Sequence, residues 1–201
     1  MQNFDRTIFL LCSTLLAVAC SGTQPARTNT PAKTLRPLAS EYFKLGQDEA
    51  RAGDNLRAEQ YLLAAKKAGY AEAAVLPPLL DVCLSSGRLR TALSYAIPFL
   101  QTHPDQFVLR HLVGAIYLAL GDAAEAFHEL QLVESQEPTF APTKYLLGVA
   151  SAEEFSDTAA AQRYFEEYLK LAPHGPHAPE ALGWLREHAT AHRPTAKRAR
   201  S

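Results

Sequence analysis

His188 and His192 stand four residues apart near the C-terminal end, a spacing that puts two imidazoles on one helix face where they could meet a metal ion. A second pair, His174 and His177, lies in an HGPH loop between Pro173 and Pro179. Neither pair has a third ligand beside it, and the HExxH order of a zinc protease is missing, so both read as solvated or weakly packed histidines and no metal is expected. The chain has no glycine-rich phosphate loop, no GxSxG elbow and no CxxC pair. Its carboxylates are numerous, but acid–base pairing needs a geometry that spacing does not supply. No catalytic residue, no cofactor and no enzymatic activity are expected.

The three cysteines carry different chemistry according to where they stand. Arg6 is followed by an almost uninterrupted apolar run, Thr7 to Ala19, and then Cys20. As a helix the run is about 20 Å long, too short for a hydrocarbon core of about 30 Å, so residues 1–19 read as a secretory signal peptide. The stretch Leu15-Leu16-Ala17-Val18-Ala19-Cys20 resembles a bacterial lipoprotein signal, departing from it at Ala17, where leucine is commoner. That resemblance implies a lipidated (palmitate-bearing) Cys20 as the new N-terminus. Ser21 is not the aspartate that retains enterobacterial lipoproteins in the inner membrane, so a lipid-anchored, periplasm-facing protein of the outer membrane is implied. The other reading is an ordinary secretory signal with Cys20 incidental. Cys12 leaves with the signal, and Cys83, alone between Val82 and Leu84, is expected to be buried and inert.

The 201 residues carry 20 Lys and Arg against 21 Asp and Glu and are 47% hydrophobic. This excludes a disordered chain and any whole-chain attraction to nucleic acid. Residues 20–37 hold the lipidated cysteine and a Thr-, Pro- and Ala-rich tether too poor in large apolar side chains to fold. At the other end Arg193 to Ser201 carries four positive charges and no negative one, which leaves the rest at −5. The tail reads as a solubilising end or as a binder of anionic polymer or lipid.

What must position any site is a repeat. Gly53, Gly87 and Gly121 are 34 residues apart, Ala58, Ala92 and Ala126 keep the interval, and Pro104 and Pro138 keep it again, with Pro173 following after 35. Leu45-Gly46, Val113-Gly114, Leu147-Gly148 and Leu182-Gly183 mark a second position; Leu79-Leu80 stands there in the second copy, so its glycine is missing. The copies run 39–72, 73–106, 107–140 and 141–174, filling residues 38–174. In the second, Pro77-Pro78 falls inside the first helix, which is expected to start at Pro78 or to kink. The fourth has one extra residue, with Phe155 in the turn and Ser156-Asp157 as the cap of its second helix. Residues 175–192 hold one more amphipathic helix, a solenoid cap in which Trp184 packs, and 193–201 is the basic tail.

This pattern resembles the tetratricopeptide repeat, which implies an all-α, right-handed solenoid of four helix hairpins and a capping helix. Members of that family bind partners on the inner wall made by the first helices. Carried over by position, the wall holds Phe43, Lys44, Gln47, Arg51, Asp81, Leu84, His111, Leu112, Leu118, Tyr145, Leu146 and Val149. The partner-binding groove is expected at Phe43, Gln47, Leu84, His111, Leu112, Leu118, Tyr145, Leu146 and Val149. It is mostly apolar and suits an apolar helix or extended segment; the alternative is that several of these side chains are buried between neighbouring helices or covered by the tether. Phe43, Pro77, Pro78, Leu112 and Tyr145 occupy positions where the chaperone-binding subclass places its carboxylate clamp, so that clamp is absent.

The architecture is also similar to small tetratricopeptide lipoproteins that help secretins assemble for type IV pili, and to accessory lipoproteins of outer-membrane protein insertion. It implies a non-enzymatic protein–protein interaction scaffold, with a secretin, pilus component or other envelope protein as partner. An envelope lipoprotein that holds anionic cell-wall polymer or polysaccharide through its basic tail is the second reading.

Overall fold

Three glycines 34 residues apart set the turns. Gly53, Gly87 and Gly121 all have positive φ, at 81°, 67° and 78°, a backbone region that a residue with a Cβ enters only at a cost. Each follows one helix and is followed at once by the next, so each closes a helix hairpin. The computed structural model describes residues 38–189. Within it α1 (Ala39–Arg51) pairs with α2 (Asn55–Lys67), α3 (Glu72–Ser85) with α4 (Leu89–Thr102), and α5 (Phe107–Leu120) with α6 (Ala123–Gln136). The fourth hairpin joins α7 (Ala141–Val149) to α8 (Thr158–Leu171), and α9 (Ala178–Ala189) closes the array. The main contacts run between chain neighbours, the arrangement of a solenoid. The signal segment, Cys20, the tether, His192 and the basic tail lie outside the described residues.

The fourth turn shows how an extra residue is absorbed. Where the 34-residue interval would put glycine stands Phe155, and the left-handed position passes to Ser156, with φ 53°. The slack is taken up by a π-helical turn, Ala150–Glu154, continuous with α7, as expected of a single inserted residue in a helix. Asp157, one residue on, accepts a hydrogen bond from the Ala160 N–H at 3.0 Å and caps α8.

Small residues set the spacing within hairpins. Ala58, Ala92 and Ala126, and Ala161 in the fourth copy, are fully buried. Gly46, Gly114 and Gly148 are tighter still: a Cβ placed on them would come within 2.7, 2.8 and 2.7 Å of Leu62, Leu130 and Phe165 respectively. Gly183 on α9 has open space around it, since no described helix follows to press on it. Large side chains fill the spaces between: Leu62, Leu130 and Leu147 are wholly buried, each stabilising the fold by about 1.5–3 kcal/mol relative to exposure.

Polar staples join successive hairpins. Arg88, in the turn after α3, hydrogen-bonds Glu59 of α2, and the Tyr95 hydroxyl of α4 donates to the same carboxylate at 2.7 Å. Cys83 is buried beside this group, its thiol pushed up by burial and by Glu59. Lys144 of α7 bonds Glu134 of α6 at 2.6 Å and Glu167 of α8 at 2.7 Å. Burial alone would lower the Lys144 ammonium, but its two carboxylate partners outweigh that and raise it.

One expectation about α3 is corrected. The helix does not start at Pro78, one of the two alternatives; it begins at Glu72 and continues through both prolines. The chain continues helically because Leu76, Leu79 and Leu80 are buried on either side of the pair, and that burial outweighs two missing N–H donors.

The spacing argument makes a direct prediction for thermal unfolding. Gly114→Ala should destabilise the protein by about 1–2 kcal/mol, overpacking against Leu130 exceeding the gain in helix propensity. Gly183→Ala should be neutral or stabilising. Equal effects at the two sites would show that close helix approach does not set the fold.

Candidate interaction cleft

The second hairpin departs from the other three at the point of closest approach. Leu80 stands where they have Gly46, Gly114 and Gly148, and the residue in register with Leu62 and Leu130 is Ala96. Large and small have changed sides, and Leu80 and Ala96 lie in one core cluster. A leucine on α3 holds the α4 backbone off where a glycine would let it in. The α3–α4 pair is accordingly the least closely apposed of the four hairpins. Both of its helices also contain prolines, Pro77 and Pro78 in α3 and Pro98 in α4. None of the three can donate to the carbonyl four residues back, which leaves the carbonyls of Ala73, Ala74 and Ser94 without that bond.

Beside this hairpin, between α3 and α5, lies a cleft of about 610 Å³. Its most buried lining comes from Leu76, Leu80 and Phe99; Leu84, Leu109 and Leu112 are half-buried around them. Pro77, Asp81, His103 and Val108 are exposed at its edge, Val108 at 59%. The volume falls in the range that accommodates a small molecule or the anchoring side chains of a bound segment.

Of the nine groove residues expected from the sequence, the cleft brings together three: Leu84, His111 and Leu112. The others are engaged elsewhere. Phe43 stacks on Tyr70 at 4.4 Å, and Gln47 is half-buried on α1, outside the cleft. Leu118 and Leu146 pack around buried Leu130, Leu147 and Tyr164. Tyr145 and Val149 pack against the cluster of Phe165 and Tyr168, with the Tyr145 ring on that of His177 at 4.1 Å. Sequence position placed all nine on one wall, but successive hairpins draw most of these side chains into the contacts between them. The lining residues not foreseen include Leu76, Leu80, Phe99, His103, Val108 and Leu109. Their signal was present as the missing glycine at Leu80 and the proline pair just before it.

Of the metal-spaced pair, His188 is committed to packing. His188 stacks on Trp184 at 4.0 Å and its Nδ1 lies 2.8 Å from the Trp184 carbonyl, while Trp184 packs on Phe165 at 5.1 Å. His192 is outside the described residues. Among those residues no group of three or more His, Cys, Asp or Glu is placed to hold a metal ion.

His111 ties the cleft to the next hairpin. Its Nδ1 lies 3.0 Å from the Thr143 hydroxyl, and its ring meets Phe140 edge-on at 5.2 Å. Burial lowers its pKa to about 4 from the usual 6.5. The neutral ring is therefore the folded form, and its stabilising contribution is complete above pH 6.5 and is lost as the pH falls towards 4. The melting temperature of the wild type should fall more steeply over that window than that of His111→Gln. Parallel pH profiles would contradict the assignment.

No family model matches the sequence, and no curated protein matches it. Solved structures do. YrrB, described as a TPR protein with an unusual peptide-binding site, is 20% identical with a TM-score of 0.63 over 72% of this chain and 74% of its own. A tetratricopeptide repeat protein from Parabacteroides merdae is 20% identical, with a TM-score of 0.68; the match covers 76% of this chain and only 60% of that one. MamA from Desulfovibrio magneticus RS-1 is 21% identical, with a TM-score of 0.62 over 76% of this chain and 88% of its own. The described residues thus have the fold of a right-handed tetratricopeptide solenoid, four helix hairpins followed by a closing helix.

Proposed function

We propose that the protein is a non-catalytic interaction scaffold, an outer-membrane lipoprotein anchored through Cys20. On this reading its solenoid holds a segment of another envelope protein during assembly of a complex such as a type IV pilus or a secretion channel. The observation that carries the scaffold reading is the cleft between α3 and α5, an open, largely apolar concavity whose edge leaves Val108 exposed. Similarity to YrrB, described as having a peptide-binding site, supports the same reading of the fold. The anchor rests on the sequence: an apolar run too short to span a bilayer, ending in Ala19-Cys20. More than one acyl chain on Cys20 would hold the protein firmly, each buried CH₂ contributing about 0.8 kcal/mol.

Two variants separate the two halves of this proposal. Cys20→Ala should abolish lipid labelling and release the protein from the membrane fraction. Val108→Glu alters an already exposed side chain, so it should keep the wild-type melting temperature while losing the envelope protein that co-purifies with the detergent-solubilised wild type. Membrane retention of Cys20→Ala would refute the anchor, and unchanged co-purification with Val108→Glu would refute the cleft as the contact surface.

A further inference from the structure

The chemistry at the edge of the cleft specifies the charge of its occupant. Asp81 is the only Asp, Glu, Lys or Arg among the lining residues; it is exposed and pairs with no cation among the described residues. Ala73, also in the lining, has a carbonyl whose intrahelical donor is replaced by Pro77. His103, at the same edge, has its Nδ1 2.9 Å from the Thr102 hydroxyl and 3.1 Å from the Phe99 carbonyl. Acceptors thus gather at the rim of an apolar cleft. The surrounding field has the same sign: residues 38–189 carry 12 Lys and Arg against 20 Asp and Glu, a net charge of −8. Arg110, between the lining residues Leu109 and His111, is held by Glu129 at 2.6 Å.

From this complementarity we infer that the occupant is a segment of a partner protein that sets a large aliphatic or aromatic side chain beside a lysine or arginine. The apolar group enters between Leu80, Leu84 and Leu112 and the cation lies against Asp81. This rests on the cleft being the binding surface proposed above. The chain's own tail, Arg193 to Ser201, has the charge but no large apolar side chain to fill the space, and a second copy of the solenoid would bring −8 against −8.

The test is fluorescence anisotropy of the intact protein with two labelled probes, an amphipathic peptide of leucine and lysine and its leucine–glutamate counterpart of equal length. The lysine peptide should bind at least about tenfold more tightly than the glutamate one at physiological salt, through steering and contact charge together. Asp81→Asn should weaken it about two- to fivefold, the range for one solvent-facing ion pair. Glu154→Gln removes the same charge from the exposed π-helical turn and should leave affinity unchanged. Val108→Asn removes apolar surface without adding charge and should weaken both peptides. If the glutamate peptide binds as tightly as the lysine one, or if Asp81→Asn and Glu154→Gln act alike, the charge preference is overturned while the cleft survives. If neither peptide binds, or Val108→Asn alters nothing, the cleft reading fails with it.

Discussion

How closely two helices of a hairpin can approach governs most of what this chain builds. Where glycine meets a leucine or phenylalanine, as Gly46 does Leu62, Gly114 does Leu130 and Gly148 does Phe165, the first helix settles almost backbone-deep against its partner. In the second hairpin the bulk lies on the first helix, as Leu80, and the small residue on the second, as Ala96. Total side-chain volume changes little, so the core remains filled and Leu80 stays 4% exposed. What changes is the separation of the backbones, and the cleft lies beside the one hairpin with that exchange.

The rest of the solenoid compensates for this irregularity. The Glu59–Arg88–Tyr95 group joins α2 to the loosened hairpin on one side, and His111 with Thr143 and Phe140 joins the cleft to the fourth hairpin on the other. In a linear array each unit is stabilised by its own interior and by its neighbours, so a weaker hairpin flanked by staples can persist. The π-helical turn after α7 serves the same end by another route: it absorbs one residue without shifting the phase of α8, whose Ala161, Phe165 and Tyr168 stay buried.

Much of this was legible in the residues. A 34-residue recurrence of glycine is a demand for left-handed backbone at fixed intervals, and the recurrence of alanine is a demand for close contact; both are local constraints that a sequence displays. Pro77-Pro78 was read as a helix start or a kink, and the start lies earlier, at Glu72, because the burial of Leu76, Leu79 and Leu80 that keeps the helix going depends on neighbours far along the chain. The cleft was harder for the same reason. Leu84, His111 and Leu112 could be placed by position within the repeat, but Phe99 lies on the second helix of its hairpin and His103 is that helix's C-cap, outside the wall that the first helices make. Phe43 and Tyr145 were placed on the same wall, and nothing in the spacing revealed that Tyr70 and His177 would stack on them.

The exchange of Leu80 and Ala96 can be reversed at the loss of a single methyl group in total. A crystal structure of the Leu80→Gly, Ala96→Leu double variant would compare the second hairpin directly with its neighbours. If the side-chain exchange is what holds α3 and α4 apart, the two helices draw together to the spacing of α5 and α6, and the cleft between α3 and α5 shrinks well below 610 Å³. A variant that folds with the wild-type helix separation and an undiminished cleft would contradict the account.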